Sequence, residues 1–385
     1  MCGICGLVTR EGPAGTGVVE AMTAALAHRG PDSGGVTALG RCALGHRRLR
    51  VVDLDTGDQP VQSEDGTVTA VFNGELYDFQ HLRRDLAEAG HRVPGTGDTA
   101  VLPHLYEEHG LAFGNRLAGM FAVALWDAGR QRLVLLRDRI GKKPLLWTRF
   151  PDGSLAFASE LKALLRHPGV RREVDPRALD AYLALQYVPG ERTALAGVHR
   201  LPPGHLLVWE DGRVEVHRWW ELVPADLGDA GDEELLERVR ETVRAAVRRR
   251  LLADVPLGAL LSGGLDSTVV VALMAEASSG PVRTFTVGTG ERRYDERDAA
   301  RIAARAFGTE HEEVVVDPDP AALLPRLAWM LDEPLGDEAI LPTLLIAEAA
   351  RRQVTVALAG DGGDESFGGY ERYAAMRLAA RARLP

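Results

Sequence analysis

Apolar positions along the 385-residue chain fall into two textures. In the first half they come as short runs bounded by Gly, Asp or Asn: CALGHRRLRVVD (42–53), GTVTAVFNGELYD (66–78), GMFAVALWDA (119–128), QRLVLLRDR (131–139) and GSLAFASE (153–160). Rich in Val, Leu, Ile and Phe, these read as buried strands. Segments 17–30 and 78–91 instead space their apolar residues near i, i+3, i+4 and i+7, the period of a helix with one buried stripe. Strand-rich blocks with interleaved helices predict stacked sheets under helical cover. HRLPPGHLLVWEDGRVEVHRWWEL (199–222) reads as a closing hairpin with Asp-Gly at its turn, and the acidic, Gly- and Pro-rich ELVPADLGDAGDEE (221–234) reads as connecting chain.

Beyond it the period changes. Residues 234–255 predict an amphipathic helix, after which strand and helix alternate. PLGALLS, VRTFTVG, HEEVVV and VTVALAG are the strands, with STVVVALMAEA, ERDAARIAARAFG, LLPRLAWMLDE and LPTLLIAEAARR between them. Such alternation predicts an α/β doubly wound parallel sheet. The expected division is a first domain over 2–210, a linker over 211–233 and a second domain over 234–385.

Composition narrows the function classes. The length favours two domains. A formal net charge of −10 and a pI near 5.6 argue against nucleic acid as the main partner. No apolar run reaches the ~18 residues of a membrane span, and no basic segment followed by an apolar one marks a secretory signal at the N-terminus. Cys2, Cys5 and Cys42 cannot make a disulfide framework, so a reducing cytoplasm is expected.

Candidate chemistry sits at two places. The chain opens MCGICG. Cys2 and Cys5 form a C-x-x-C pair that would suit a redox couple or half a zinc site, and His28, Cys42 and His46 make a further conceivable ligand set. Alternatively, removal of Met1 would give Cys2 a free α-amine, of pKa about 7.7–8.0, beside its own thiol. Nucleophile and base would then belong to one residue. The second place is the strand-to-helix turn Leu261-Ser262-Gly263-Gly264-Leu265-Asp266-Ser267. Its glycines let backbone N–H groups approach an anion, and the helix start adds partial positive charge. A carboxylate at Asp266 among phosphates calls for a bridging Mg²⁺. The turn ending in Ala359-Gly360 carries Asp361, Asp364 and Glu365 beyond another strand of the same predicted sheet, where a second acid-bearing loop would share the metal and phosphate site.

These motifs carry a family resemblance. MCGICG, HRGPD, GHRRLRVVD, FNGELY, GTGDT and RDRIGKKPL resemble the glutaminase half of class II glutamine amidotransferases. LLSGGLDS, RTFTVG, YDE, DEPLGD and GDGGDESFGGY resemble the ATP-pyrophosphatase half of glutamine-hydrolysing asparagine synthetases. The fold implied is an α+β N-terminal hydrolase, an αββα sandwich, followed by the parallel-sheet domain. The resemblance implies that Cys2 attacks the glutamine amide, with Asn73 (side chain) and Gly74 (backbone N–H) as oxyanion hole. Arg48, rather than its neighbour Arg47, would hold the α-carboxylate, with Asp98 and Glu75 on the α-ammonium. In the second half ATP would activate the β-carboxylate of aspartate as an acyl-adenylate, and ammonia would arrive through an internal channel. The loop 261–267, Val287, Ala359 and Gly360 would bind nucleotide, and Asp266 and Asp364 Mg²⁺. A homodimer is also implied.

Three departures qualify this. Asp361 stands where many members have glutamate, and Ala359 where serine is common. Family members also continue into a region with a catalytic lysine, whereas Lys142, Lys143 and Lys162, the only lysines here, lie in the first half. The expectation is a complete glutaminase and a synthetase domain incomplete at its C-terminus. An acceptor other than aspartate, or a non-catalytic module binding glutamine or nucleotide, are the competing readings.

Overall fold

A computed structural model describes residues 1–385 except 227, 229, 289–294, 317–318 and 383–385; Tyr294 of the YDE motif thus lies outside the described residues. The chain forms two compact units, Met1–Asp226 with Leu324–Asp337, and Leu227–Leu323 with Glu338–Pro385.

The first unit contains β1 (Gly3–Val8), β2 (Ser33–Leu39), β3 (Cys42–Arg48), β4 (Val61–Gln62), β5 (Val68–Leu76), β6 (Gly119–Asp127), β7 (Arg132–Arg137), β8 (Leu146–Arg149), β9 (Leu155–Ala158), β10 (His199–Arg200), β11 (His205–Glu210) and β12 (Arg213–Arg218). They pair into two six-stranded sheets, β10-β8-β9-β1-β3-β2 and β12-β11-β7-β6-β5-β4, with every pairing antiparallel. The apolar runs are continuous rather than alternating because both faces are covered. In β6, Ala122, Ala124 and Trp126 pack between the sheets, whereas Phe121, Val123 and Leu125 turn outward. The outward face is closed by α2 (Phe79–Glu88) and α3 (Val101–His109), through Leu82, Leu86, Leu102 and Leu105. The other sheet is closed by α1 (Thr16–Ala25) and α4 (Leu161–Leu164). A further helix, α5 (Pro176–Leu185), starts with Asp175 accepting the Arg177 amide at 2.9 Å. The layers are helix, sheet, sheet, helix.

Three features depart from the sequence expectation. β1 escapes the pattern because Gly3, Cys5 and Gly6 dilute its apolar character. Gly6 is nonetheless required there, since a Cβ would lie 2.5 Å from the Phe157 ring and 2.8 Å from the Ala43 carbonyl. The expected linker 211–233 begins too early. Asp211 and Gly212, both at positive φ, turn the chain back so that Arg213–Arg218 pairs with β11 as a sixth strand. Finally, Leu324–Asp337 belongs to the first unit although the chain on either side belongs to the second. Lys162 holds Asp332 at 3.1 Å, Arg200 holds Glu333 at 2.5 Å, and Trp329 lies edge-on to His28 at 4.7 Å.

The second unit begins with α6 (Asp232–Arg249). Its sheet comprises β13 (Leu257–Leu260), β14 (Arg283–Gly288), β15 (Glu310–Val315) and β16 (Val356–Leu358), in the order β15-β14-β13-β16 and parallel throughout. The helices α7 (Leu265–Ala277), α8 (Arg297–Phe307) and α10 (Ile340–Arg351) alternate with the strands, α9 (Pro320–Leu331) lies mostly in the first-unit segment Leu324–Asp337, and α11 (Gly363–Phe367) and α12 (Glu371–Ala382) follow. Because β13 has later strands on both sides, the strand order reverses between β13 and β16, which is where such sheets open a ligand crevice. Among the described residues no helix is long and apolar enough to cross a membrane.

Gly6→Ala should lower unfolding stability by about 1–3 kcal/mol, because the Ala43 backbone cannot yield to the new methyl. A shifted denaturant midpoint at unchanged slope is the expected readout; an unshifted midpoint would show that β1 has room to spare.

Candidate active site

The site of the first unit is built on one edge of β5. β4 pairs only with Thr69 and Ala70, so the edge runs on unpaired. Strand amides alternate in direction, which sends those of Phe72, Gly74 and Leu76 to this edge. The Phe72 amide donates to Gln59 Oε1 at 2.7 Å and the Leu76 amide to Asp98 Oδ2 at 2.9 Å. The Gly74 amide lies between them, and Gly74 lines a cavity of 290 Å³ with Cys2, Arg48, Glu75 and Asp98. Glycine is required at 74, since a Cβ would lie 2.2 Å from the Met120 carbonyl. Asn73, the next residue back, is fully buried, and neither its Oδ1 nor its Nδ2 has a hydrogen-bond partner. An orphaned buried amide costs about 1–3 kcal/mol, a penalty that a developing oxyanion beside it would relieve.

Cys2 reaches the cavity from the start of β1. Its Sγ donates to the Leu49 carbonyl at 3.7 Å, and Arg29 of the HRGPD motif donates from Nε to the Cys2 carbonyl at 2.8 Å. Burial is the main cause that raises the thiol pKa, and Glu75 and Asp98 add to it. The same burial lowers the Met1 α-amine to about 5 and the Lys143 ammonium to about 8. Lys143 Nζ touches Met1 Sδ at 3.0 Å, and its backbone is fixed by Asp138, which accepts the amides of Lys142 and Lys143 at 2.9 Å.

Arg48 is buried and lines the cavity. Its Nη1 donates to Asp58 Oδ1 at 2.8 Å, and its Nη2 to the carbonyls of Val52 (3.1 Å) and Asp53. Arg47 instead donates to the Gly30 carbonyl at 2.9 Å and is not among the residues lining the cavity. Asp53 closes the GHRRLRVVD motif, and the sequence assigned it no role. At φ 54° it accepts the amides of Thr56, Thr96 and Gly97 within 3.0 Å, tying the Arg48 loop to the GTGDT loop. Burial disfavours its charge, yet these hydrogen bonds hold its carboxyl down at about 2.

Glu75 and Asp98 behave oppositely. Burial first, and then the neighbouring Asp98 charge, push Glu75 up to about 8; burial likewise raises Asp98. A cation brought between them would let both ionise.

In the second unit the two predicted loops abut at the carboxyl ends of β13 and β16. Leu261 is buried behind the turn, and Ser262 and Ser267 close it with Oγ atoms 2.9 Å apart. Gly263 has φ 80° and packs on α8; a Cβ there would lie 2.4 Å from Ala299. Gly264 caps α7, with Leu265 exposed at its first position. Gly360, following Ala359, leaves 2.8 Å between a hypothetical Cβ and the Ser267 amide, and Gly363 lies directly against the Asp266 carboxylate. Asp364 is the next residue, in the first turn of α11. Val287 stands near the end of β14. The structure turns Glu365 aside, to accept the Tyr370 hydroxyl at 2.8 Å, and leaves Asp361 exposed.

Residues 1–220 match the profile of the glutamine amidotransferase domain, and 238–385 that of asparagine synthase. The chain belongs to the glutamine amidotransferase family. It is 35% identical to asparagine synthetase [glutamine-hydrolyzing] 1 of Bacillus subtilis, over 97% of this chain and 59% of that protein. It is 32% identical to synthetase 3 of the same organism, over 96% and 63%, and 36% identical to the amidase chyE of Penicillium rubens, over 98% and 60%. The chain thus spans about three fifths of the length of these relatives.

Asp53, Asp138 and Arg29 all lie within the family motifs, but their tethering roles carried no sequence signal, because each acts through backbone amides or carbonyls that only the fold brings to it. The C-x-x-C metal reading does not hold: Cys5 bonds Thr23 at 3.2 Å inside the helix-covered layer, and Cys42 is sealed between the sheets.

The raised Glu75 pKa sets a pH dependence. Since burying the charged form is unfavourable, the stability it leaves is fully present below about pH 4.5 and is lost as pH rises through about 8. Glu75→Gln, which cannot ionise, should melt increasingly above wild type from pH 5 to pH 9; melting curves that stay parallel would refute the buried-acid assignment.

Proposed function

We propose that the first unit hydrolyses the side-chain amide of glutamine and that the second uses ATP to activate a carboxylate, aspartate in the first instance, to receive the ammonia. The observation that carries the first part is the pocket lined together by Cys2, Arg48, Gly74, Glu75 and Asp98. Arg48 offers a planar fork to the α-carboxylate, and the Glu75–Asp98 pair takes the α-ammonium.

With Met1 removed, the amine of Cys2 would sit where burial already lowers the Met1 amine to about 5. The same burial would favour its unprotonated form, able to take the thiol proton. The thiolate adds to the amide carbon, and the oxyanion accepts from Asn73 Nδ2 and the Gly74 amide. Ammonia leaves as the C–N bond breaks, carrying the proton returned by the amine. Water then cleaves the thioester, giving glutamate and free thiol.

In the second unit the hydroxyls and glycines of 262–267, at the start of a 13-residue helix, suit a pyrophosphate. Asp266 and the nearby Asp364 suit Mg²⁺, which would neutralise phosphate charge. Val287, Ala359 and Gly360 would contact the nucleotide. Activation of a carboxylate as its adenylate releases pyrophosphate, and ammonia attacks the acyl carbon with AMP as leaving group. Because ammonium is not a nucleophile, the nitrogen must arrive unprotonated, which a dry path would ensure. Three free cysteines suit a reducing cytoplasm.

Glutamate release from glutamine tests the first part. Cys2→Ala should abolish it, and Asn73→Ala should lower kcat by about 10²–10³ with KM little changed; retained turnover in Cys2→Ala sinks the mechanism. Pyrophosphate release from ATP with ammonia and a panel of acids tests the second. Aspartate is expected to give the largest signal. A larger signal with another acid reassigns the acceptor, a reading that the similarity to an amidase keeps in play.

A further inference from the structure

Away from this pocket, on the helix-covered side of the second sheet, four side chains from three segments converge. Glu64 lies in the turn between β4 and β5, His91 just beyond α2, and His104 and Glu107 on one face of α3. One ligating atom of each lies within 4.8 Å of all the others. Glu64 Oε1 is 3.2 Å from His91 Nδ1, and Oε2 is 3.1 Å from His104 Nδ1. Glu107 Oε2 is 3.5 Å from His104 Nδ1 and 3.9 Å from His91 Nδ1. A tetrahedral ion with bonds of about 2.0–2.1 Å holds its ligands about 3.3–3.4 Å apart, in the middle of that range.

Two further observations point to a ligand rather than to ion pairing alone. His104 is fully buried, and neither ring nitrogen makes a hydrogen bond although Nδ1 faces two carboxylates at ion-pair distance. A donor and its acceptor align with each other, whereas atoms sharing a cation direct their lone pairs at the cation. His91, for its part, has Nε2 on Glu108 Oε1 at 3.0 Å, the carboxylate–imidazole arrangement that presents the other nitrogen to a metal. The Arg92 amide donates to Glu64 Oε1 at 2.6 Å and fixes that carboxylate in place.

We propose that Glu64, His91, His104 and Glu107 bind a divalent transition-metal cation, Zn²⁺ being the best chemical match. Two imidazoles and two carboxylates suit zinc, whereas Mg²⁺ and Ca²⁺ take more, all-oxygen ligands. The cation would staple α3 to the β4–β5 turn and to His91. It would thereby clamp both ends of the loop that carries Asp98, giving the amidotransferase unit a structural metal remote from its chemistry.

The test uses the full chain carrying Cys2→Ala, so that no pocket thiol competes for zinc. After chelator treatment, Zn²⁺ is titrated against a chromophoric chelator and melting is followed. We expect about one equivalent bound, a melting rise of about 5–10 °C at roughly hundredfold excess over Kd, and no such rise with equal Mg²⁺. His91→Gln with Glu107→Gln, both at partly exposed positions, should weaken binding by about 100-fold or more. Absence of stoichiometric binding, or undiminished binding by the double variant, overturns the site. Should the double variant fail to fold, the zinc-edge absorption spectrum of the parent decides: two imidazole ligands support the site and none refutes it.

Discussion

The first unit depends on an edge that is left open on purpose by a short partner. β4 spans two residues, and past it the outward amides of β5 have no strand to pair with. Buried backbone donors need partners, and this chain supplies them one at a time. Gln59 takes the Phe72 amide and Asp98 takes that of Leu76, which leaves the Gly74 amide facing the pocket between them. The same edge therefore recruits the GTGDT loop, sets the position of Asp98 and presents a free donor. Had β4 been six residues longer, ladder hydrogen bonds would have consumed all three groups.

Burial around that edge makes the empty pocket nearly neutral. It lowers the Met1 amine and the Lys143 ammonium and raises the Cys2 thiol, Glu75 and Asp98. Arg48 rests on Asp58 and two carbonyls. A site of this kind binds a zwitterion by exchanging one set of partners for another rather than by solvating isolated charges. Glutamine, the proposed amide donor, has that form.

In the second unit the constraint is topological. β13 forms the middle of a parallel sheet, so its outgoing loop and that of β16 must emerge side by side. Glycines at 263, 360 and 363 then remove the bulk that would separate them, and the Asp266 carboxylate comes to rest against Gly363, next to Asp364. The acids of the two loops are neighbours because of strand order, not because of spacing along the chain.

The change of hydrophobic period near residue 230, the parallel strands of the second half and the motif residues of both loops were legible from the amino-acid order alone, because each is a local pattern. Cys2 could be singled out from its place behind Met1, whereas Asn73, Gly74 and Arg48 were named only through the family resemblance. What the order could not disclose is whatever depends on partners distant in sequence. β1 was hidden by its glycines and Leu324–Asp337 by its location among second-unit elements, whereas the hairpin of β11 and β12 was legible from its Asp-Gly turn. The tethers Arg29, Asp53 and Asp138 join segments through backbone carbonyls and amides, which carry no side-chain signature. The convergence of Glu64, His91, His104 and Glu107 likewise needs three segments folded onto one sheet face. Local chemistry was written in the chain; which groups share a cavity, and hence which are charged, was decided by tertiary packing, since burial and proximity exist only once the sheets have closed.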